Sequence, residues 1–409
     1  MVDPVDQLAE TVRIEGARIL ATLVRTVGSL PVAEDAVQDA IVSALREWPR
    51  SGIPSEPRAW LTVVARRKAI DALRREASRG AKERDSADLL DLATADLPTD
   101  AAVRDDQLRL IFTCCHPALA IEAQVALALR TLCGLSTGHI AAVLLTTESA
   151  MAKRLTRARQ KIVAAHIPYR VPVEAELPGR LTAVCGVIHA HYTAGHAPIT
   201  GAAVVDIDVC AEAIRLGRLL VDLLPDEPQP TALLALLILT DARRRARADD
   251  AGDVVLLAEQ DRSLWNLEQI VEGCALLDSS LRRTGGIADP YQLQAAIAAE
   301  HARSPSYTGT DWREIVRLYD LLLSVAPSGA TQLNRAVAVA EADGAAAGLT
   351  ALASIAPSPR WHAVRGELLA RQGRYAEAVE ATTASLEGEL TAPEQRYRER
   401  RIAEWTARA

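Results

Sequence analysis

Several things are scarce in this chain, and each scarcity excludes something. Aromatic residues make up only 3% of it, with a single phenylalanine, Phe112. Aromatic and β-branched runs are rare, so extended strands find little support. The longest apolar stretch, Ala232 to Leu239, is far short of the roughly 20 residues that a bilayer-spanning helix needs. The opening Met1-Val2-Asp3-Pro4-Val5-Asp6 has neither a basic start nor an apolar run, so no signal peptide is expected. These absences predict a soluble, cytoplasmic protein with no membrane partner. The six cysteines contain no C-x-x-C pair, which argues against a disulfide framework or a zinc ribbon. Cys114-Cys115-His116 is the one cluster, and three adjacent residues cannot converge comfortably on one zinc. Its neighbours Ile111, Phe112 and Leu119 are apolar, so buried thiols are the expectation. His189, His191 and His196 look more like ligands, yet no carboxylate or cysteine cluster accompanies them. No cofactor and no metal are therefore expected. An enzyme in the C-terminal helices, built on those histidines or on Asp/Arg clusters, would need a nucleophile-plus-base pattern, and none is seen. Asp206, Asp208 and the Asp241, Arg243 and Arg244 group read as helix caps and salt bridges.

What is present points one way. Ala, Leu and Val dominate the 49% apolar content, in stretches of helical period rich in Arg and Glu. An all-α protein is predicted, and 409 residues allow two or three domains. Charge is uneven along the chain: residues 1–169 carry 22 Lys and Arg against 21 Asp and Glu, and residues 170–409 carry 24 against 32. All the lysines (Lys68, Lys82, Lys153, Lys161) fall in the first part. An acidic second part is poorly suited to wrapping nucleic acid and better suited to a basic surface.

Residues 8–48 read as helices. Ala33, Val37, Ala40, Ile41, Ala44, Leu45 and Trp48 make one apolar face, with Asp35, Gln38 and Asp39 on the polar side. Pro49, Gly52, Pro54 and Pro57 mark a loop. The next helix, with Ser55 as its expected cap, turns Leu61, Val64, Ala65, Ala69, Ala72 and Leu73 inward. Arg67, Asp71 and Arg74 share another face, flanked by Arg66, Lys68 and Arg75. Trp60 reads as core rather than as a stacking platform. Periodicity fails over 78–104, read as a linker. A second helical unit over 105–168 ends in a helix-turn-helix pattern: Ser136 to Leu145, then Thr146-Thr147, then Glu148 to Ile162. Met151, Leu155, Ala158 and Ile162 form the buried stripe of the second helix, while Lys153, Arg154, Arg157, Arg159 and Lys161 supply cations. Such a helix fits the major groove, with its N-terminal residues at base edges and its cations on phosphates. A solvated charged surface helix is the plainer reading of the same residues taken alone.

From residue 175 to the end, helical segments are expected near 175–196, 206–223, 230–248, 254–283, 290–303, 310–325, 330–341, 345–355, 360–371 and 375–388. Trp312 to Asp343 and Trp361 to Leu390 form helix pairs. The second pair, with Gly373 in its turn, resembles a tetratricopeptide repeat.

Taken together, the first 166 residues resemble an extracytoplasmic-function sigma factor of the sigma-70 family. Three motifs carry the resemblance: the Ala33-Glu34-Asp35-x-x-Gln38-Asp39 helix; Trp60-Leu61 opening a basic helix that ends Asp71-Ala72-Leu73-Arg74-Arg75; and the helix-turn-helix ending Arg154-Leu155-Thr156-Arg157-Ala158-Arg159-Gln160-Lys161. In that family the first unit (1–77) is region 2 and the second (105–168) is region 4. The stretch 175–409 resembles the helical, tetratricopeptide-like extension of one subgroup, through phrases such as Asp226-Glu227-Pro228 and Leu333-Asn334-Arg335-Ala336. Cys114-Cys115-His116-Pro117-Ala118-Leu119 also matches that subgroup.

The resemblance implies a division of labour. Asp35, Gln38 and Asp39 would dock on the β′ clamp helices of bacterial core RNA polymerase. Arg66, Arg67, Lys68, Asp71, Arg74 and Arg75 would meet the −10 element, and Ser149, Lys153, Arg154, Arg157, Arg159 and Lys161 the −35 element of promoter DNA. The C-terminal domain would regulate or support this activity, with a protein partner for its repeats. Arg67 stands where the family usually has Asn, Leu145 where Gly is usual, Ile41 where Phe is frequent, and Lys153 falls one position late, so the promoter sequence is not carried over. The alternative is a one-component helix-turn-helix regulator whose repeat domain senses a ligand or protein; it leaves the region-2-like motifs unexplained.

Overall fold

The computed structural model describes residues 3–79, 100–132, 134–144, 146–172, 177–198, 203–286, 288–388 and 390–409. Among them every regular element is a helix, apart from an isolated bridge between Ala248 and Val254. The all-α expectation is met. The chain divides into two compact units, Met1–Val187 and Ile188–Ala409.

In the first unit, α1 (Pro4–Val27), α2 (Leu30–Ser51) and α3 (Pro57–Arg79) pack on one another. The buried stripe of α2 is Ala33, Ala36, Ala40, Ala44 and Trp48. Alanines at that spacing let neighbouring backbones approach closely, and Trp48 fills the wider end. Pro49 does not end this helix as expected. In the last turn a proline forfeits one backbone hydrogen bond, and the turn still closes with Gly52 N–H donating to Trp48 O at 3.0 Å. The following helix begins at Pro57, so Glu56 rather than Ser55 precedes it. Next come α4 (Asp100–Cys114), α5 (Ile121–Thr131), α6 (Thr137–Val143) and α7 (Glu148–Ala164). α4 starts within the stretch read as linker, of which residues 80–99 lie outside the described residues. α4 packs on α1 and α5, and α7 on α5 and α6. α8 (Leu177–His196) begins in the first unit and ends in the second.

The second unit is organised on α10 (Pro228–Asp241), buried continuously from Pro230 to Leu239. α9 (Ile207–Leu223), α11 (Leu267–Arg283) and α12 (Pro290–Arg303) surround it. Beyond it α13 (Trp312–Val325), α14 (Gly329–Asp343), α15 (Ala345–Leu352), α16 (Pro359–Arg371), α17 (Tyr375–Ala384) and α18 (Ala392–Thr406) each pack on their chain neighbours. α16 and α17 approach closely because Gly366 faces Thr382, where a Cβ would come within 2.1 Å of Oγ1.

Two expected helices are shorter than read. The 230–248 segment stops at Asp241, followed by a 3-10 turn at Arg244–Ala246. Residues 254–266 are not α-helical; α11 starts at Leu267. Local polar groups capture the backbone there. Asp249 accepts from the amides of Ala251 and Asp253, Gly252 takes φ +76°, and Asp261 accepts from Ser263 N.

Candidate nucleic-acid interface

The helix-turn-helix geometry follows from short-range chemistry. Thr147 caps α7, its hydroxyl accepting from Ala150 N at 3.3 Å. Met151, Leu155, Ala158 and Ile162 are buried, which turns the opposite side outward. Leu145, at the turn position noted above, lies outside the described residues. Lys153, Arg154, Arg157 and Lys161 come together on a groove of about 590 Å³. Its other wall is the Ala118–Ala123 segment, where α5 begins without a side-chain cap at Ala120. Four cations beside a helix N-terminus make a field suited to phosphate. Ser149 is exposed at the start of α7, its hydroxyl 3.3 Å from that of Thr147.

Arg159 points elsewhere. It reaches α2, where its Nε lies 2.5 Å from Glu34 Oε2 and its Nη2 donates to Glu34 Oε1 at 3.2 Å. Burial raises the Glu34 pKa above the ordinary 4.5, and the Arg159 guanidinium only partly opposes that. Two further links join the same helices' neighbourhoods. Asp106 of α4, its side chain fully buried, takes Arg25 of α1 at 2.7 Å and Arg109 at 2.9 Å. Its pKa too is raised by burial against both guanidiniums. The Tyr169 hydroxyl lies 2.7 Å from the carbonyl oxygens of both Ala21 and Asp106, sharing one proton between them. None of these links was anticipated from sequence. Only the i,i+3 spacing of Asp106 and Arg109 gave a local hint.

On α2, Asp35, Gln38 and Asp39 are all exposed. On α3, Arg67, Lys68, Asp71, Arg74 and Arg75 are exposed and Arg66 is half-buried, with Arg75 Nε donating to the Asp71 carbonyl at 3.1 Å. Trp60 is half-buried and meets Trp48 edge to face at 5.7 Å, so it belongs to the packing of α2 on α3.

The remaining sequence candidates range from buried to exposed. Cys114 and Cys115 are buried thiols; burial pushes Cys114 up to about 12, against a 3.2 Å contact with Thr131 Oγ1. His191 is buried with both ring nitrogens unpartnered, His189 meets Tyr291 edge on, and His196 stacks on Tyr192 while Arg247 approaches its Nδ1. Among the described residues no group of three or more His, Cys, Asp or Glu is placed to hold a metal, and no helix is long and apolar enough to cross a membrane. Asp206 caps α9 through Val209 N, and Asp241 accepts from Gln269 of α11 and pairs with Arg244.

Three family models match the chain: sigma-70 region 2 over residues 12–79, sigma-70 region 4 over 109–162, and a family of unknown function (DUF6596) over 180–281. With a basic helix-turn-helix as its second module, the chain belongs to the extracytoplasmic-function group of the sigma-70 family and carries a C-terminal extension. The protein R00370 of Rhizobium meliloti, described as uncharacterized, is 42% identical over 390 residues, covering 92% of this chain and 91% of that protein. The Probable ECF RNA polymerase sigma factor SigI of Mycobacterium tuberculosis is 30% identical over 161 residues, covering 38% of this chain and 54% of that protein. No solved structure matches.

Proposed function

We propose that this protein is a promoter-recognition subunit that brings core RNA polymerase to a −10 and a −35 element and has no active site of its own. The observation that supports this most is the pairing of both sigma-70 modules with outward-facing functional faces on α2, α3 and α7. Asp35, Gln38 and Asp39 would meet a basic polymerase surface, their charge suiting steering more than raw affinity. Arg66, Arg67, Lys68, Arg74 and Arg75 would hold non-template-strand phosphates, with Asp71 on the same face, as the duplex opens. Ser149, Lys153, Arg154, Arg157 and Lys161 would sit in the −35 major groove. Arg159 joins them only after releasing Glu34, so its own contact with the duplex is coupled to breaking that pair. The residue ranges 1–77, 105–168 and 175–409 would be the working modules, with the protein acting in the cytoplasm. The acidic C-terminal part would regulate or support them.

Run-off transcription with bacterial core polymerase, on the promoter of the protein's own operon, tests this. Transcripts that depend on added protein and vanish in Asp35→Arg/Asp39→Arg are expected. Sequence-specific duplex binding without polymerase, and no transcription from any native promoter, would refute it in favour of an operator-binding regulator. Comparing the full chain with residues 1–169 assigns the C-terminal part: greater activity on truncation makes it an inhibitor, lost activity makes it required.

A further inference from the structure

The C-terminal unit contains a half-open cavity of about 430 Å³, within the size range of sites that enclose a drug-sized ligand. Its wall on one side is the irregular segment 254–258; on the other it is α13, α14, α16 and α18. The segment is tied down at its start, where Asp253 takes Arg396 at 2.6 Å and Arg400 at 3.0 Å, both from α18. Apolar side chains such as Leu257, Ile315, Val337 and Leu368 make much of the lining. The rings of Tyr307, Trp312, Tyr319 and Tyr397 add aromatic faces.

Each charged group at this cavity already has a partner, an opposite charge for two of the carboxylates and a backbone group for Glu394 and Arg398. Glu341 pairs with Arg371 at 2.6 Å, and the Tyr307 phenol hydrogen-bonds to that pair. Glu367 pairs with Arg401 at 2.8 Å and accepts from the Tyr397 hydroxyl at 2.8 Å. Glu394 is engaged with the Thr391 amide at 3.3 Å, and Arg398 with the Ser385 carbonyl at 2.6 Å. An ionic ligand would shed its hydration and have to displace one of these contacts to gain a counter-charge. One lining polar atom is left over: His301 Nδ1, buried and without a hydrogen-bond partner. Buried polar atoms are normally satisfied. His301 is held neutral, its pKa lowered to about 4 by burial and by Arg243 and Arg262.

We propose that this cavity binds a small, neutral, planar and largely apolar molecule carrying a hydrogen-bonding group that satisfies His301 Nδ1. Ring faces and aliphatic walls supply the contact area, and the leftover polar atom sets the orientation. A lining whose charged groups are already engaged disfavours ions. Such binding is separate from promoter recognition and needs no polymerase.

Prodan, a neutral planar naphthalene ketone whose emission shifts to the blue on burial, is the probe, titrated into the full-length protein. The anionic naphthalene sulfonate ANS is the contrast. One-to-one binding of prodan, not displaced by ANS, is expected. Ala363→Trp, which adds an indole to the cavity lining, should abolish it. His301→Phe keeps the local shape and should weaken prodan about fivefold, the size of one neutral hydrogen bond. Circular dichroism and melting temperature identify any variant that fails to fold. Absence of prodan binding, equal competition by ANS, or unchanged affinity in a folded Ala363→Trp would overturn the proposal. So would unchanged affinity in a folded His301→Phe.

Discussion

Removing the Arg159 guanidinium should loosen α7 from α2. Glu34 is the less exposed partner, its side chain 13% accessible against 30% for Arg159. A hydrogen bond to a charged group contributes about 1.5–3 kcal/mol, and desolvation of the carboxylate opposes it, as its raised pKa shows. A coupling energy of about 1–2 kcal/mol therefore remains. The assay is hydrogen exchange at the Glu148–Ala164 amides in wild type, Glu34→Ala, Arg159→Ala and the double variant. Loss of the coupling should speed exchange there by roughly 5- to 30-fold. Single effects that simply add in the double variant, within about 0.3–0.5 kcal/mol, would show that the two residues do not act as a pair and refute the reasoning. The pH dependence gives a second handle. A carboxyl whose pKa is raised in the folded state takes up protons more readily there. Its contribution to stability is fully present below the unfolded value and lost as pH rises through the folded one. Wild type should therefore gain stability over Glu34→Gln as pH falls from neutral toward the ordinary glutamate value of 4.5. In Arg159→Ala the effect should grow, because the opposing guanidinium is gone.

Other perturbations separate surface roles from packing. Asp35→Arg/Asp39→Arg should abolish polymerase binding in a pull-down while changing stability by no more than about 0.5 kcal/mol, as both side chains are exposed. Lys153→Ala or Arg157→Ala should weaken promoter binding by the holoenzyme and lower the slope of log affinity against log salt by about 1 each, measured by fluorescence anisotropy. Gly366→Ala would drive a methyl to within 2.1 Å of Thr382 Oγ1. It should destabilise the C-terminal unit by about 1–3 kcal/mol in thermal unfolding, and Thr382→Ala should rescue it.

The Ala33–Trp48 stripe of α2 and the Met151–Ile162 stripe of α7 were legible in the sequence because helical periodicity is a local property, repeating within two turns. The same holds for the Asp206 cap and for the outward placement of Asp35, Gln38 and Asp39. Local order also explains the failures. Residues 254–266 keep enough apolar periodicity to suggest a helix, but the turn before them, held by Asp249 and Gly252, and the Asp261 side chain on the Ser263 amide give the backbone other local partners. Glu34 and Asp35 are adjacent acids on one helix, yet one is half-buried against Arg159 and the other is exposed. Their partners stand far off in the chain: 125 residues separate Glu34 from Arg159, 81 separate Arg25 from Asp106, and 143 separate Asp253 from Arg396. The sequence by itself determined most of the helices, much of their inward faces and the two sigma modules, but it missed α18 (Ala392–Thr406) and read 254–266 as helix. Which charges on those helices meet one another, and which cavity they leave, was decided only when packing brought distant turns together, since no pattern within a few turns encodes the identity of a neighbour so far along the chain.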